Sequence, residues 1–173
     1  MSTLELKELS HPAGEVIKIA AGKTLDLKTQ GSVTMPTGSV LQVVSYADSV
    51  STSTSSTAFV GSTIQATITP SSTSSKILVI MHGFTTVSIN AVHAVVTIYR
   101  GNTTNLGSSY GMGDFYTSAG GYTESTFSCN YLDAPNSVSP INYRAYCRTA
   151  STGTMTLGSG ARVASITLME VSA

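Results

Sequence analysis

The apolar residues of this chain recur at every second position and almost nowhere at the spacing of a helix. In "FVGSTIQATIT", Ile64, Ala66 and Ile68 alternate with polar residues, and "INYRAYCRT" alternates in the same way. A period of two places successive side chains on opposite faces of a β-strand. Glycine, serine, asparagine and proline separate these runs, as in turns. The pattern predicts an all-β fold, a β-sandwich or jelly roll, over residues 39–173.

One strand departs from strict alternation. "KILVIMHGF" (Lys76–Phe84) is apolar at both sets of positions, which predicts a central strand covered on each side. The preceding "TPSSTSSK" is interpreted as a tight polar turn, because Pro70 removes a backbone donor and hydroxyls can bond nearby backbone groups. Exposed strand edges are usually guarded by charge. Since such charges are missing here, we expect another subunit to cover the edges.

Charge is scarce along the whole chain. Charged residues make up 10% of it, against about 25% in an ordinary soluble domain, and the formal net charge is zero. Clustered Lys and Arg are what bind nucleic acids and anionic membranes, so we expect neither partner. A neutral surface is also poorly protected by charge repulsion against self-association. The composition therefore favours a homo-oligomer or a component of a larger particle.

The N-terminal part differs from the rest. Eight of the eighteen charged residues lie in the first 28 positions. "MSTLELKELSHPAGE" has no apolar stretch after a basic one, so we expect no signal peptide, and no segment reaches 18 apolar residues. We predict an attachment segment at residues 1–15 and a short β-rich stem at residues 16–38.

The stem prediction depends on an eight-residue repeat of apolar pairs. Each pair has the i, i+2 spacing that places both side chains on one face of a strand. The predicted stem core is Ile17, Ile19, Leu25, Leu27, Val33 and Met35. One chain of such short strands cannot bury its apolar faces, whereas several chains wound around one axis could. The alternative is an extended strap that lies on the body.

No catalytic motif stands out. Asp114 and Glu124 are the best candidates for a pair of catalytic carboxylates, but we interpret them as solvated loop residues. Strand-turn-helix settings for a nucleophile and phosphate-binding glycine loops are also missing. We therefore predict no enzymatic activity and no cofactor.

We expect His82 and His93 on neighbouring strands as half-buried residues; the alternative is that they face each other, as an adjacent pair or across a trimer axis, around a metal ion. Cys129 and Cys147 lack metal-type spacing. We predict that both are small buried apolar residues, with a disulfide as the alternative.

The loop "GSSYGMGDFYTSAGGYT" (Gly107–Thr123) has the composition of a recognition surface. Tyrosine offers a large contact area and a hydroxyl at a low cost in conformational entropy, and aromatic faces beside an acid suit sugar rings. The candidate binding residues are Tyr110, Asp114, Phe115, Tyr116 and Tyr122. The alternative is that some of them pack the loop or a subunit interface.

Three segments carry a family resemblance: "GSVLQVV", "ITPSSTSSKILV" and "ITLMEV". With them, residues from about Met35 to Ala173 resemble the C-terminal domains of tail-fibre and fibre-like structural proteins of bacteriophages, particularly marine and cyanobacterial ones. "IKIAAGKTLDLKTQGSVTMPTG" is similar to the shaft-like repeats that precede such domains. The resemblance implies a homotrimer with a β-rich stem and three jelly-roll-like knobs packed side by side.

From the residues and the resemblance together we expect a virion protein assembled in the host cytoplasm. It would be a short trimeric fibre, joined to other virion proteins through its N-terminal segment, whose knob contacts a host-surface receptor that we expect to be a glycan. The first alternative is a capsid or tail decoration protein without a receptor. The second, a cellular lectin-like or signalling-type trimer, is disfavoured by the expected lack of a signal peptide.

Overall fold

The structure is a computed structural model that describes residues 21–22, 35–88, 92–117, 122–151, 153–158 and 160–173. Over these residues its regular structure consists of strands alone, and it has no helix suited to crossing a membrane. Residues Met35–Ala173 form one compact unit. The strands are β1 (Val40–Asp48), β2 (Thr52–Thr54), β3 (Val60–Ile68), β4 (Lys76–Val87), β5 (Val92–Arg100), β6 (Thr104–Asn105), β7 (Gly113–Thr117), β8 (Thr123–Asp133), β9 (Ile141–Thr149), β10 (Met155–Leu157) and β11 (Ala164–Val171).

The strands form two antiparallel sheets. In sheet 1, β4 pairs with β8 along one edge and with β11 and β10 along the other, and β1 and β2 pair with β11 and β10. In sheet 2 the order is β3, β9, β5, followed by β6 and β7, which both pair with β5. Counted in chain order, the eight strands of five or more residues run first, eighth, third, sixth in sheet 1 and second, seventh, fourth, fifth in sheet 2. This is the order of a jelly roll, so the predicted all-β fold is confirmed.

The core lies between the sheets and is built by the predicted alternation. Ile64, Ala66 and Ile68 of β3 are buried, and they pack with inward-facing residues of sheet 1. The prediction for "KILVIMHGF" is only half right. β4 is central and its Ile77, Val79 and Met81 are buried, but the intervening Ile80 is 36% exposed. The described chain therefore covers one face of β4 and leaves the other open.

The three segments that carried the family resemblance meet at one buried carboxylate. Glu170, on β11, is fully buried and faces the interior. It accepts hydrogen bonds from Ser71, through the backbone N–H at 2.7 Å and the hydroxyl at 2.6 Å, and from Gln42 Nε2 at 2.6 Å. Gln42 Nε2 also donates to the carbonyl of Thr69. The polar turn before β4 is thus fastened to β1 and β11, which explains its serines.

Hydrogen bonding outweighs burial at Glu170. Burial alone raises the pKa of this carboxyl, but hydrogen bonds from Ser71, Gln42 and Ser75 lower it to about 2. Glu170 is therefore a charged, structural residue. The sequence prediction of a tight polar turn is correct, and its anchor is this carboxylate.

A second buried carboxylate ties the two sheets together. Asp133, at the end of β8 in sheet 1, is 5% exposed. It accepts hydrogen bonds at 2.8 and 3.0 Å from Arg100 Nη1 and at 2.7 Å from the Tyr143 hydroxyl, and both partners belong to sheet 2. Burial and the bond to Asp133 raise the pKa of Tyr143 well above its ordinary value. A satisfied buried ion pair of this kind fixes one arrangement of the sheets, because removing either partner leaves an unpaired charge.

Candidate functional site

Two of the predicted binding residues lie together on the outer face of sheet 2. Asp114 and Tyr116 are two residues apart on β7, which places both on the same face, and β7 pairs with β5 at His93. His93 Nδ1 lies 3.0 and 2.8 Å from the two carboxylate oxygens of Asp114. The imidazole and the Tyr116 ring have centroids 4.5 Å apart. These three residues, which we call the His93 cluster, form an aromatic surface beside a carboxylate.

The His93 cluster is open to solvent. The side chains of His93 and Asp114 are 39% and 46% exposed, and Tyr116 is 50% exposed. Ring faces and carboxylate oxygens are thus accessible to a ligand in the same place. The sequence analysis paired His93 with His82 and not with Asp114, because alternation does not show which strand lies beside β5.

Tyr110 lies on the same sheet but on a separate loop. The segment between β6 and β7 folds back over the outer face of β5, where Met112 N donates to Val96 O at 2.8 Å. Gly111 makes this close approach possible: its φ is +75°, and a Cβ there would lie 2.5 Å from Val95 Cγ1 and 2.7 Å from Val96 O. The turn at its tip exposes 78% of Tyr110.

Phe115 and Tyr122 lie elsewhere. Phe115 alternates with Asp114 and Tyr116 on β7 and packs against the hydrophobic core. Tyr122 is 68% exposed, directly precedes β8 in sheet 1, and donates from its hydroxyl to Glu124 at 2.9 Å. The structure thus brings together two of the five predicted residues, and their roles in binding stay predictions.

A row of aromatic and arginine side chains was missed by the sequence analysis. On the outer face of sheet 2 the rings of Tyr99 and Tyr146 stack with centroids 4.0 Å apart, and Phe59 lies edge-on to Tyr99 at 5.9 Å. Arg144 lies over Tyr146 at 5.8 Å and Arg148 over Phe59 at 5.1 Å. We call these five residues the arginine row. The alternation of β9 contained the signal, since Arg144, Tyr146 and Arg148 are every second residue of "INYRAYCRT".

Each carboxylate in the described part of the chain already has partners. Asp114 bonds His93, and Glu124 bonds Arg162 and Tyr122. Asp133 and Glu170 are buried in the networks above, while Asp48 accepts from Tyr46 and from the backbone of Val50. Asp114 and Glu124 belong to strands of different sheets, each beside its own basic partner. No group of three or more His, Cys, Asp or Glu suited to a metal ion occurs among the described residues.

The prediction that the two histidines lie on neighbouring strands is wrong, although His93 is half-buried as predicted, whereas His82 is exposed. His82 lies on β4 in sheet 1 and His93 on β5 in sheet 2, so they are not on neighbouring strands of one sheet. Both alternate with inward-facing residues and therefore face outward from opposite sides of the sandwich. The chain turns from one sheet to the other between β4 and β5, and alternation within each strand does not reveal that crossing.

The cysteine prediction is confirmed. Cys129 and Cys147 are buried and unbonded. Burial raises the pKa of both thiols, that of Cys147 to about 12, so neither is a thiolate at neutral pH.

Most of the predicted stem lies outside the described residues, including Ile17, Ile19, Leu25, Leu27 and Val33. The sixth stem residue, Met35, is 44% exposed. The segment boundaries at residues 15 and 38 stay predictions.

No family model matches the sequence, and no curated protein matches it. The fold is similar to solved structures of viral proteins at low identity. One is a structure of the Gx strain of infectious bursal disease virus, with a TM-score of 0.44 and 14% identity, covering 87% of this chain and 41% of that chain. Another is a mutant VP2 protein of infectious bursal disease virus from T=1 particles, with a TM-score of 0.39 and the same identity and coverage. This chain thus spans less than half the length of either.

Proposed function

We propose that this protein is a structural component of a phage particle: a short trimeric fibre whose jelly-roll domain contacts glycan on the host surface. The observation that carries the proposal is the difference between the two outer faces of the sandwich. Sheet 1 presents an exposed apolar surface, with Lys76 and Glu124 at the ends of its strands, that is suited to other copies of the chain. Sheet 2 presents exposed aromatic rings beside charged groups, which suit a polar ligand.

The apolar surface of sheet 1 is a row across four strands. Val43 pairs with Met169, Met169 with Leu78, and Leu78 with Leu132, so all four side chains lie on one face. We call them the apolar row. Val43 is 55% and Leu132 51% exposed. A contiguous exposed apolar surface is typical of an interface.

A second copy is the partner that fits the apolar row best. The outward-facing residues around it are mostly uncharged, and the exception is Lys76, exposed beside Leu78 at the start of β4. The uncharged ones are Ser45, Ala47, Ile80, His82, Thr126, Ser128, Asn130, Ser165 and Thr167. Two copies of a face with so few charges meet with little electrostatic repulsion. Closed homo-oligomers are the usual outcome of such self-contacts. The resemblance to fibre domains favours three copies.

The His93 cluster is the proposed contact for glycan. A sugar ring packs its apolar face on a tyrosine ring, and the Asp114 carboxylate accepts hydrogen bonds from sugar hydroxyls. The bond from His93 to Asp114 orients that carboxylate. Three identical sites on a trimer would bind a host surface more tightly than one site alone, so each contact can be weak and no reaction is needed. Residues 1–15 would join the fibre to other virion proteins.

The runner-up is a decoration protein that stabilises the particle and binds no receptor. The apolar row supports the decoration protein as much as the fibre, because both functions require contacts between subunits. The two functions differ in the role of the His93 cluster.

The test combines mass measurement with binding. Light scattering on the purified full chain should give the mass of a trimer. On a glycan array and on host cells, Tyr116→Ala should lower affinity about tenfold, equivalent to roughly 1.4 kcal/mol, whereas Tyr116→Phe keeps the ring and should bind nearly normally. A trimer that binds neither glycans nor host cells would leave the decoration function. A monomer would remove the avidity on which the fibre function depends.

A further inference from the structure

The arginine row is an aromatic surface with a positive charge at each end. Along it, Arg144 lies over Tyr146, Tyr146 stacks on Tyr99, Tyr99 contacts Phe59, and Phe59 lies under Arg148. All five side chains are half-buried, so their aliphatic and ring atoms are packed while part of each remains accessible. Such packing holds the guanidinium groups in place before any ligand arrives, which reduces the entropy lost on binding.

Neither arginine of the row is neutralised. Within the part of the chain that the structure describes, the ion pairs of arginine are those of Arg100 with Asp133 and Arg162 with Glu124. Arg148 donates from Nη2 to Ser109 O at 2.9 Å and, at longer range, from Nη1 to two other backbone carbonyls. Arg144 donates from Nε to Ser62 O at 2.6 Å. Carbonyl oxygens satisfy N–H groups without cancelling charge, so two positive charges remain on one face.

Local backbone structure positions this charge. A Cβ on Gly61 would lie 2.8 Å from Arg144 Cζ and 3.1 Å from Tyr146 Cζ, so the glycine makes room for both side chains against β3. At the other end, the bond from Arg148 to Ser109 brings the exposed Tyr110 turn beside the row. The row therefore has a guanidinium packed against β3 at one end and the exposed ring of Tyr110 near the other.

We infer that the arginine row binds an acidic saccharide, one whose sugar rings carry carboxylate groups. This inference rests on the proposed function and specifies the chemistry of its ligand. The guanidinium fork matches a carboxylate with two parallel hydrogen bonds, and the tyrosine faces match the apolar face of a sugar ring. A neutral glycan would leave both positive charges without partners, and so gains less from this surface.

A nucleic acid is a poorer fit to the same surface. Its affinity depends on many phosphate contacts along a basic stripe, whereas the row offers two arginines on a chain with zero formal net charge. A saccharide with one carboxylate per ring or every few rings needs no more than two cations.

The experiment measures binding of the full chain to oligogalacturonate and to oligosialic acid, each compared with its methyl ester, at low and high salt. The ester keeps the sugar backbone and removes the negative charge. We expect each acid to bind on the order of tenfold more tightly than its ester, with the difference shrinking as salt screens the exposed charges. Arg144→Gln should abolish most of that preference. Arg162→Gln, which removes an equal charge beside sheet 1, in the connection between β10 and β11, is the matched control and should retain it.

Three results would overturn the inference: equal binding of acid and ester for both saccharides, the same loss of preference in Arg162→Gln as in Arg144→Gln, or equally tight binding of an oligothymidylate, which would make the row a general anion site. These outcomes are separable from failure of the proposed function. Host-cell binding that depends on Tyr116 but shows no preference for acids would retain the fibre and reject the acidic ligand. Binding of the acids that depends on Arg144, without any host-cell binding, would retain the chemistry of the row and reject the host contact.

Discussion

The two sheets of the sandwich share one core but have opposite outer faces. Sheet 1 carries the apolar row, in which Val43 and Leu132 are more than half exposed, and most positions around it are uncharged, Lys76 being the exception. Sheet 2 carries the His93 cluster and the arginine row, where every aromatic ring has a charged or aromatic neighbour. Packing of the core constrains the inward residues of both sheets alike. The outward-facing residues are free of that constraint. The difference between the two outer faces therefore indicates which kind of partner each face contacts.

This difference explains how a charge-poor chain can have two separate roles. Described residues with a formal charge are concentrated on the outer face of sheet 2, at the rim of sheet 1, or in the two buried networks. Self-association through sheet 1 would leave sheet 2 facing outward. The assignment of one role to each sheet can be tested by changes that affect both faces, one face, or one part of a face.

The largest effect is expected from a change that destabilises the whole sandwich and so disrupts both outer faces together. Asp133→Asn removes the charge that joins β8 to Arg100 and Tyr143, and it leaves the Arg100 charge unpaired. Breaking a fully buried ion pair costs about 3–5 kcal/mol, and because the Arg100 side chain is 29% exposed, we expect a loss at the lower end of that range. Urea unfolding should show that loss, with oligomer formation and ligand binding failing over the same denaturant range. Glu124→Gln, which breaks an exposed pair with Arg162, should cost less than about 1 kcal/mol. Assembly that survives at denaturant concentrations where binding is lost would show that the sheets are not one folding unit.

A charge in the apolar row should affect sheet 1 alone. Leu132→Asp places a carboxylate in the proposed contact between copies, and the cost of desolvating it there should weaken association by about 3 kcal/mol. Light scattering over a dilution series would measure the shift from trimer to monomer. Val138→Asp is the control, because Val138 is 52% exposed but lies in the connection between β8 and β9, away from the row. Unchanged association in Leu132→Asp would show that the apolar row is not the interface.

The stability of the protein at acid pH should depend on Glu170, which bonds Gln42 of the edge strand β1. The pKa of Glu170 is about 2 in the folded chain and lies near 4.5 in an unconstrained one. Because the folded value is depressed, the stabilisation is complete above pH 4.5 and is lost as the pH falls towards 2. A shift of this size corresponds to about 3 kcal/mol. Glu170→Gln should therefore be less stable at pH 7 by about 2–3 kcal/mol.

The same variant should show a smaller fall in its free energy of unfolding between pH 5 and pH 2.5 than the unmodified chain. Chemical denaturation at closely spaced pH values would measure it. Equal acid slopes in the two proteins would mean that Glu170 is not the group that titrates.

Local alternation made the core predictable from the sequence. Ile64, Ala66 and Ile68 were placed inward correctly because a strand has only two faces, and an apolar set must take the buried one. The polar turn before β4 was predictable for a similar reason, since its proline and serines act on neighbouring backbone groups. In both cases the signal and its consequence lie within a few residues.

Pairing between distant strands was beyond the sequence. His82 and His93 are 11 residues apart but face opposite ways, because the chain changes sheet between them. Glu170 accepts a hydrogen bond from Ser71, 99 residues away in the chain. Tyr99 lies opposite Arg144 and stacks on Tyr146 only because β5 pairs with β9. The open outer face of β4 was missed because an apolar set of residues predicts burial without stating which molecule provides the cover.

The smallest expected effect separates the two parts of sheet 2. Gly61→Ala places a methyl group 2.8 Å from Arg144 Cζ, so the guanidinium must shift while β3 and β9 stay paired. Because the nearest atoms belong to the flexible Arg144 side chain and the Tyr146 ring, at 3.1 Å, has to give only slightly, the free energy of unfolding should change by about 1 kcal/mol or less. Affinity for oligogalacturonate should fall about threefold to tenfold, because a displaced fork loses part of a bidentate contact. Gly113→Ala is the control on the same sheet, since its Cβ would meet Cys129 Sγ at an ordinary 3.5 Å. The loss of affinity should be confined to acidic saccharides, with binding through Tyr116 retained. If Gly61→Ala binds the acidic saccharides normally, their recognition does not depend on the position of the Arg144 guanidinium. The arginines of sheet 2 would then have a role in packing and not in binding.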